Sequence, residues 1–263
     1  MNPYQKFVGE RTNRLKSNAG NRALAQTSNT FLGESIKADY SYNFEWQGRP
    51  IIQYPQDIVG MQELIWQVKP DLIIETGIAH GGSLILSASM LALLDLAEAV
   101  ESGTTAIDPR ASKREVLGID IDIRAHNRAT IEAHPMFSRI QMIEGSSIAL
   151  GVIDQVYEVA RQYCRIMVLL DSMHTHDHVL AELEAYTPLV SPGSYCIVFD
   201  TIIEDMPDDI FPDRPWGKGN NPKTAVWEFL KKNNRFEIDK EIENKLLITV
   251  APDGYLKCMG ELG

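Results

Sequence analysis

Two apolar segments that each end in an aspartate constrain this chain more than anything else in it. Ile166-Met-Val-Leu-Leu170 runs into Asp171-Ser-Met-His-Thr-His-Asp-His178, and Tyr195-Cys-Ile-Val-Phe199 runs into Asp200-Thr201. Runs this apolar and rich in branched residues predict strands buried on both faces. Such strands belong to parallel sheets covered by helices, where ligands bind beyond the carboxyl ends. Carboxylates delivered to that edge, with histidines at 174, 176 and 178, suit a metal ion or a proton transfer.

The rest of the chain supplies the partners of these strands. Asp71-Leu-Ile-Ile-Glu75, Glu115-Val-Leu-Gly-Ile-Asp120 and Ile140-Gln-Met-Ile-Glu144 read as further strands. Helical spacing lies over 57–68, 84–100, 124–133, a stretch ending near Tyr163, and 224–232. Strands alternating with helices predict an α/β fold with a doubly wound, mainly parallel sheet. Phe236–Lys240, Leu246–Val250 and Tyr255–Cys258 read as a closing antiparallel hairpin at the sheet edge. Residues 1–45 read as an N-terminal helical extension, a lid or an oligomer contact, and 46–263 as one catalytic domain, which suits 263 residues. Phe44–Pro50 reads as a turn, and the proline-rich stretch Glu204–Pro222 as a functional loop.

A formal charge of −11 argues against a nucleic-acid-binding face. The cysteines at 164, 196 and 258 have no C-x-x-C spacing, so no disulfide framework is expected and a reducing, cytoplasmic setting is the simpler reading. The N-terminus carries no apolar leader. Leu84–Val100 is broken by Ser87, Ser89, Asp95 and Glu98, which reads as a buried or amphipathic helix rather than a membrane span.

Between the first strand and its helix lies Glu75-Thr-Gly-Ile-Ala-His-Gly-Gly-Ser83. It is neither G-x-G-x-x-G nor a P-loop, which disfavours dinucleotides and nucleoside triphosphates. Glu75 at the strand end is a poor neighbour for phosphate and a good one for an amine. Asp120, ending the second strand, stands where acidic residues bind ribose hydroxyls. A ligand with a ribose and an ammonium but no phosphate is S-adenosylmethionine. Either carboxylate alone reads equally well as a helix cap; the two in order favour the cofactor.

For the chemistry, Asp171, Asp200 and Thr201 offer oxygen ligands to Mg²⁺, and His174, one turn past Asp171, offers a general base. His176 and His178 read as structural, and His80 as either a cofactor contact or packing. Asp171, His174 and His176 also have the atoms of a non-haem iron triad. That alternative, a hydroxylase, leaves Glu75 and Asp120 unexplained and usually sits on a β-barrel. A catalytically silent assembly subunit is disfavoured by the complete Asp171, His174 and Asp200 set.

Pro50-Ile-Ile-Gln-Tyr-Pro-Gln-Asp57, Ile74–Ser83, Leu169–His176 and Arg214-Pro-Trp-Gly-Lys-Gly-Asn-Asn-Pro222 together resemble the cephalosporin hydroxylase / rhamnosyl O-methyltransferase family. The resemblance runs from about residue 40 to the C-terminus. It implies the class I methyltransferase fold, a seven-stranded Rossmann-like sheet, and Mg²⁺-assisted methylation of a hydroxyl on a sugar or natural-product precursor by a homo-oligomer. By position it implies Glu75 at the cofactor amine and Asp120 at its ribose. Gly77 would make a backbone contact, with Thr76, Gly81 and Ser83 in the same turn. Ser146 or Ser147 would lie near the adenine, Asp171 beside cofactor and metal, and His174 would be the base. The acidic pair that ends the fifth strand in several metal-dependent relatives is here Phe199-Asp200, with Glu204 and Asp205 close enough to compensate. The Glu204–Pro222 loop, with Trp216 and Lys218, is the expected substrate wall or lid.

Overall fold

The computed structural model describes residues 2–207 and 209–260. Its centre is a seven-stranded sheet built from β3 (Leu72–Thr76), β4 (Glu115–Asp120), β5 (Ile140–Glu144), β6 (Ile166–Leu170), β7 (Tyr195–Val198), β8 (Phe236–Ile238) and β9 (Tyr255–Cys258). They lie in the order β5-β4-β3-β6-β7-β9-β8, with β9 alone antiparallel to its neighbours. The expected mixed α/β sheet of seven strands is present. Every residue of β3, β6 and β7 is buried, as their unbroken apolar runs require.

Helices cover both faces. Pleating divides each central strand between two cores: Ile73, Met167 and Leu169 face α3 (Pro55–Val68) and α4 (Gly82–Glu101). Leu72, Ile74, Val168 and Leu170 face α6 (Leu150–Ala160), α7 (His176–Tyr186) and α8 (Pro222–Lys232). The same alternation sends Glu75 into the α3–α4 layer. α5 (Ala125–Glu132) follows β4. Among the described residues α4 is the one helix with the length and apolarity of a membrane span, but Gly82, Leu84–Leu91 and Leu94 are buried in the core.

Two expectations need correction. Phe44–Pro50 is a hairpin, β1 (Phe44–Trp46) and β2 (Arg49–Ile51), around a Gln47-Gly48 turn with positive φ at both residues. Leu246–Val250 is not a strand. Asp239 caps α9 (Lys240–Leu246), whose Ile242 and Leu246 are buried four residues apart. The buried carboxylate of Asp57 on α3 then captures this segment, accepting from the Thr249 hydroxyl and from Val250 N at 3.0 Å. Branched residues favour a strand there, but this long-range anchor decides the outcome.

The N-terminal extension is two helices, α1 (Pro3–Ala19), with no buried residue, and α2 (Arg22–Lys37), which buries Ser28, Leu32 and Ser35. Ser35 Oγ lies 2.6 Å from Tyr54 Oη, bringing the end of α2 to the rim of the sheet's ligand edge.

Candidate active site

The chain runs outward through β3, β4 and β5 and returns at β6 beside β3, so the switch point lies between β3 and β6. Open α/β sheets bind ligands in the crevice beyond such a point. Asp171 follows β6 there, its N–H donating to the Thr76 carbonyl at 3.0 Å. Gly77 is indispensable to this approach. Its φ is +91°, and a Cβ on it would lie 2.0 Å from the Asp171 carbonyl oxygen. Asp200 follows β7 with φ +55°, a left-handed conformation that aspartate tolerates.

His174 Nε2 is 3.1 Å from Asp200 Oδ2. One ligand atom from each of Asp171, His174 and Asp200 can be chosen so that all lie within 4.8 Å of one another. Burial, then the charges of Asp200 and Glu75, raise the Asp171 carboxyl well above the ordinary carboxylate range, against a hydrogen bond from Gln53 Nε2 at 3.1 Å. Crowded carboxylates with one imidazole make a site whose repulsion a cation relieves. The Trp216 and His174 rings meet in a T-shaped contact, centroids 4.8 Å apart at 84°, with the Arg214 guanidinium 5.2 Å from the Trp216 ring centre. The loop after β7 is thereby joined to the cluster. Asp171, His174, Asp200, Gln53, Trp216 and Arg214 line a cavity of about 500 Å³, within the range of small-molecule sites. The end of α2, Gln53 and Tyr54, and the Gly77–Ser83 turn complete its walls.

The turn residues occupy two layers. Gly77, Ile78, His80, Gly82 and Ser83 face the cavity, and Gly81 caps α4 with φ +84°. Glu75 lies beneath, 2% exposed. Its Oε1 accepts from the Ser83 hydroxyl, while Oε2 is buried without a partner among the described residues. Burial pushes its carboxyl up to about 7, opposed by the Ser83 bond. Thr76 is buried within β3. Asp120 does not line the cavity. Its Oδ2 accepts from Ile78 N at 2.8 Å and Ala79 N at 3.2 Å, fastening the turn. Arg49 supports the same turn from β2, its Nε donating to the His80 carbonyl at 3.0 Å.

Other expectations are redirected by specific contacts. Thr201 is fully buried and its hydroxyl donates to the Pro252 carbonyl at 2.6 Å, which removes it from the ligand set. His176 turns to α8, with Nδ1 2.8 Å from Thr224 Oγ1 and Nε2 3.3 Å from Glu228. The two-histidine iron triad is therefore not assembled. Ser147 also faces away from the cavity: its Oγ is 3.1 Å from His178 Nε2, and its carbonyl accepts from Tyr186. Neither it nor Ser146 lines the cavity. Glu204 accepts from Gly219 N at 2.7 Å and Asp205 pairs with Lys223, so neither compensates for Phe199. Trp216 is a wall residue as expected; Lys218 is not. Gln53 and Arg49 were not anticipated. The polar Gln53 in the otherwise apolar Pro50–Tyr54 stretch was the one sign of the former.

Comparisons with known proteins place the chain in a family. The family described as Rhamnosyl O-methyltransferase/CmcI matches residues 38–259. A rhamnosyl O-methyltransferase of Mycobacterium bovis (strain BCG / Pasteur 1173P2) is 29% identical over 205 residues, covering 76% of this chain and 72% of that protein. Its counterpart in Mycobacterium leprae (strain TN) is 26% identical over 213 residues, covering 80% and 81%. Among solved structures, apo CmcI matches with a TM-score of 0.55 at 17% identity, over 84% of this chain and 78% of that one. CmcI with Mg and SAM matches at 0.54 and 17%, over 82% and 77%. These likenesses share the Rossmann-like fold. The family match spans the sheet, the Asp171–His174–Asp200 cluster and the loop that walls it, and the chain belongs to the rhamnosyl O-methyltransferase/CmcI family of O-methyltransferases.

Proposed function

We propose that the protein transfers the methyl group of S-adenosylmethionine to a hydroxyl of a small molecule, a sugar or a natural-product precursor, with Mg²⁺ at the cluster and His174 as general base. The observation that carries this reading is the convergence of Asp171, His174 and Asp200 on one cavity whose other wall is the Gly77–Ser83 turn. The residues fit the groups. Asp171 and Asp200 are hard oxygen ligands suited to Mg²⁺. The turn offers backbone and the Ser83 hydroxyl to a cofactor, with Glu75 acting on it through Ser83.

Mg²⁺ supplies Lewis acidity that makes a nearby hydroxyl a better nucleophile. Held along the Gly77–Ser83 turn, S-adenosylmethionine would supply an electrophilic methyl group, which the acceptor oxygen would take as the carbon–sulfur bond broke and its electron pair stayed on sulfur in S-adenosylhomocysteine. The hydroxyl proton passes to His174 at Nδ1, because Nε2 faces Asp200 Oδ2 at 3.1 Å, where the carboxylate is placed to stabilise the imidazolium. Trp216 holds the imidazole through a T-shaped ring contact. Alignment of the three reacting atoms supplies much of the rate.

Calorimetric titration with S-adenosylhomocysteine, with and without Mg²⁺, tests this directly. Micromolar binding that Mg²⁺ leaves intact or strengthens is expected, as is methyl transfer from labelled S-adenosylmethionine to rhamnosides or related glycosides. Absence of S-adenosylhomocysteine binding would sink the assignment.

A further inference from the structure

Beneath the cluster, between the sheet and helices α3 and α4, lies a second, interior cavity of about 20 Å³. Glu75, Ser87 and Gln53 line it, together with Asp57, Asp171 and apolar groups such as Leu169. These first three side chains are 2%, 1% and 7% exposed. Each carries a buried polar atom without a partner among the described residues: Glu75 Oε2, Ser87 Oγ and Gln53 Oε1. Three orphaned polar atoms on residues that line one small space are exceptional, because buried polar groups are almost always paired.

We infer that this cavity binds one ordered water, which donates to Glu75 Oε2 and Gln53 Oε1 and accepts from Ser87 Oγ. The volume is right for a single water, which needs about 10–15 Å³ of such space and two to four polar partners. The polarity matches as well: two acceptors and one hydroxyl donor are the complement of a water molecule. Gln53 is the consequential member. Its Nε2 already donates to Asp171 Oδ2 at 3.1 Å. Through the water its Oε1 is tied to Glu75, so one amide connects the carboxylate behind the turn to the carboxylate at the cluster. Gln53 is thus a positioning residue that orients Asp171 for a metal ion, and the water fixes which way its amide points.

The consequence for the metal rests on the proposed function; the water site does not. A crystal structure of the full chain at 1.8 Å or better should show one water within hydrogen-bonding distance of all three atoms. An empty cavity, or a water touching only one of them, overturns the inference. Ser87→Ala and Ser87→Val, which lie outside the cavity that holds the cluster, test the consequence by Mg²⁺ titration. The alanine variant keeps room and two partners for the water, so its Mg²⁺ affinity should stay within threefold of wild type. In the valine variant the added methyls displace the water, and affinity should fall at least tenfold with S-adenosylhomocysteine affinity falling less. Equal effects in the two variants overturn the link through Gln53. If wild type binds neither Mg²⁺ nor S-adenosylhomocysteine, the proposed function fails, and the crystallographic result still decides the water site.

Discussion

Gly77→Ala gives the sharpest test of how the sheet edge is assembled. The new Cβ would stand 2.0 Å from the Asp171 carbonyl oxygen and 2.7 Å from its carbon, and both belong to backbone. Even a tight contact of 3.0 Å requires the chain at Asp171 to retreat by about 1 Å. Positive φ at 77 adds about 1–2 kcal/mol for a residue with a Cβ. Gly48→Ala, at φ +80° with nothing within 4 Å of its Cβ, isolates that backbone term and should cost about 1–2 kcal/mol in urea unfolding. Gly81→Ala, at φ +84°, meets the Ile131 side chain rather than backbone and should fall between. Gly77→Ala should cost about 3 kcal/mol or more and, because a shift of about 1 Å at a positioning group costs on the order of a hundredfold, reduce turnover to that extent. The reasoning is refuted if Gly77→Ala matches Gly48→Ala in stability and keeps turnover within threefold of wild type.

Other expectations concern the charged groups. His174→Ala should lower turnover by about 10²–10⁴-fold, the usual worth of a general base, while S-adenosylhomocysteine binding by calorimetry stays within a few fold. His176→Ala should leave turnover within about threefold and lower the urea midpoint slightly, since its contacts are to α8; a collapse of activity would revive a two-histidine site. Glu75, raised from 4.5 to about 7 by burial, favours the fold while protonated, so this contribution is present below about pH 4.5 and lost as pH rises through 7. Glu75→Gln should therefore gain on the order of 3 kcal/mol relative to wild type between pH 4.5 and 8 in urea titrations; a pH-independent difference would contradict the burial argument. Asp120→Ala should weaken S-adenosylhomocysteine binding about tenfold by freeing the Ile78 and Ala79 N–H groups. Unchanged affinity would show that the turn does not need its fastening.

Some of this protein was determined locally and was therefore legible in the chain. Short apolar runs rich in branched residues and closed by an aspartate suit central strands, whose C-terminal residues emerge at one edge, so Asp171, His174 and Asp200 were readable together. The glycine spacing of the turn was equally local. Tertiary structure decided what each remaining polar group does, because a hydrogen-bond partner depends on which distant segment arrives beside it. Asp57 reached across to Thr249 and Val250 and prevented a strand. Pro252 took the hydroxyl of Thr201, and Thr224 and Glu228 took the imidazole of His176. Pleating buried Glu75 one layer below the cavity, and Asp120 was spent on the turn. Gln53, remote in sequence from Asp171, acquired its place only when the β1–β2 hairpin and α3 closed over the sheet. Strand identity follows from composition along a few residues; the pairing of buried polar atoms follows from the whole fold.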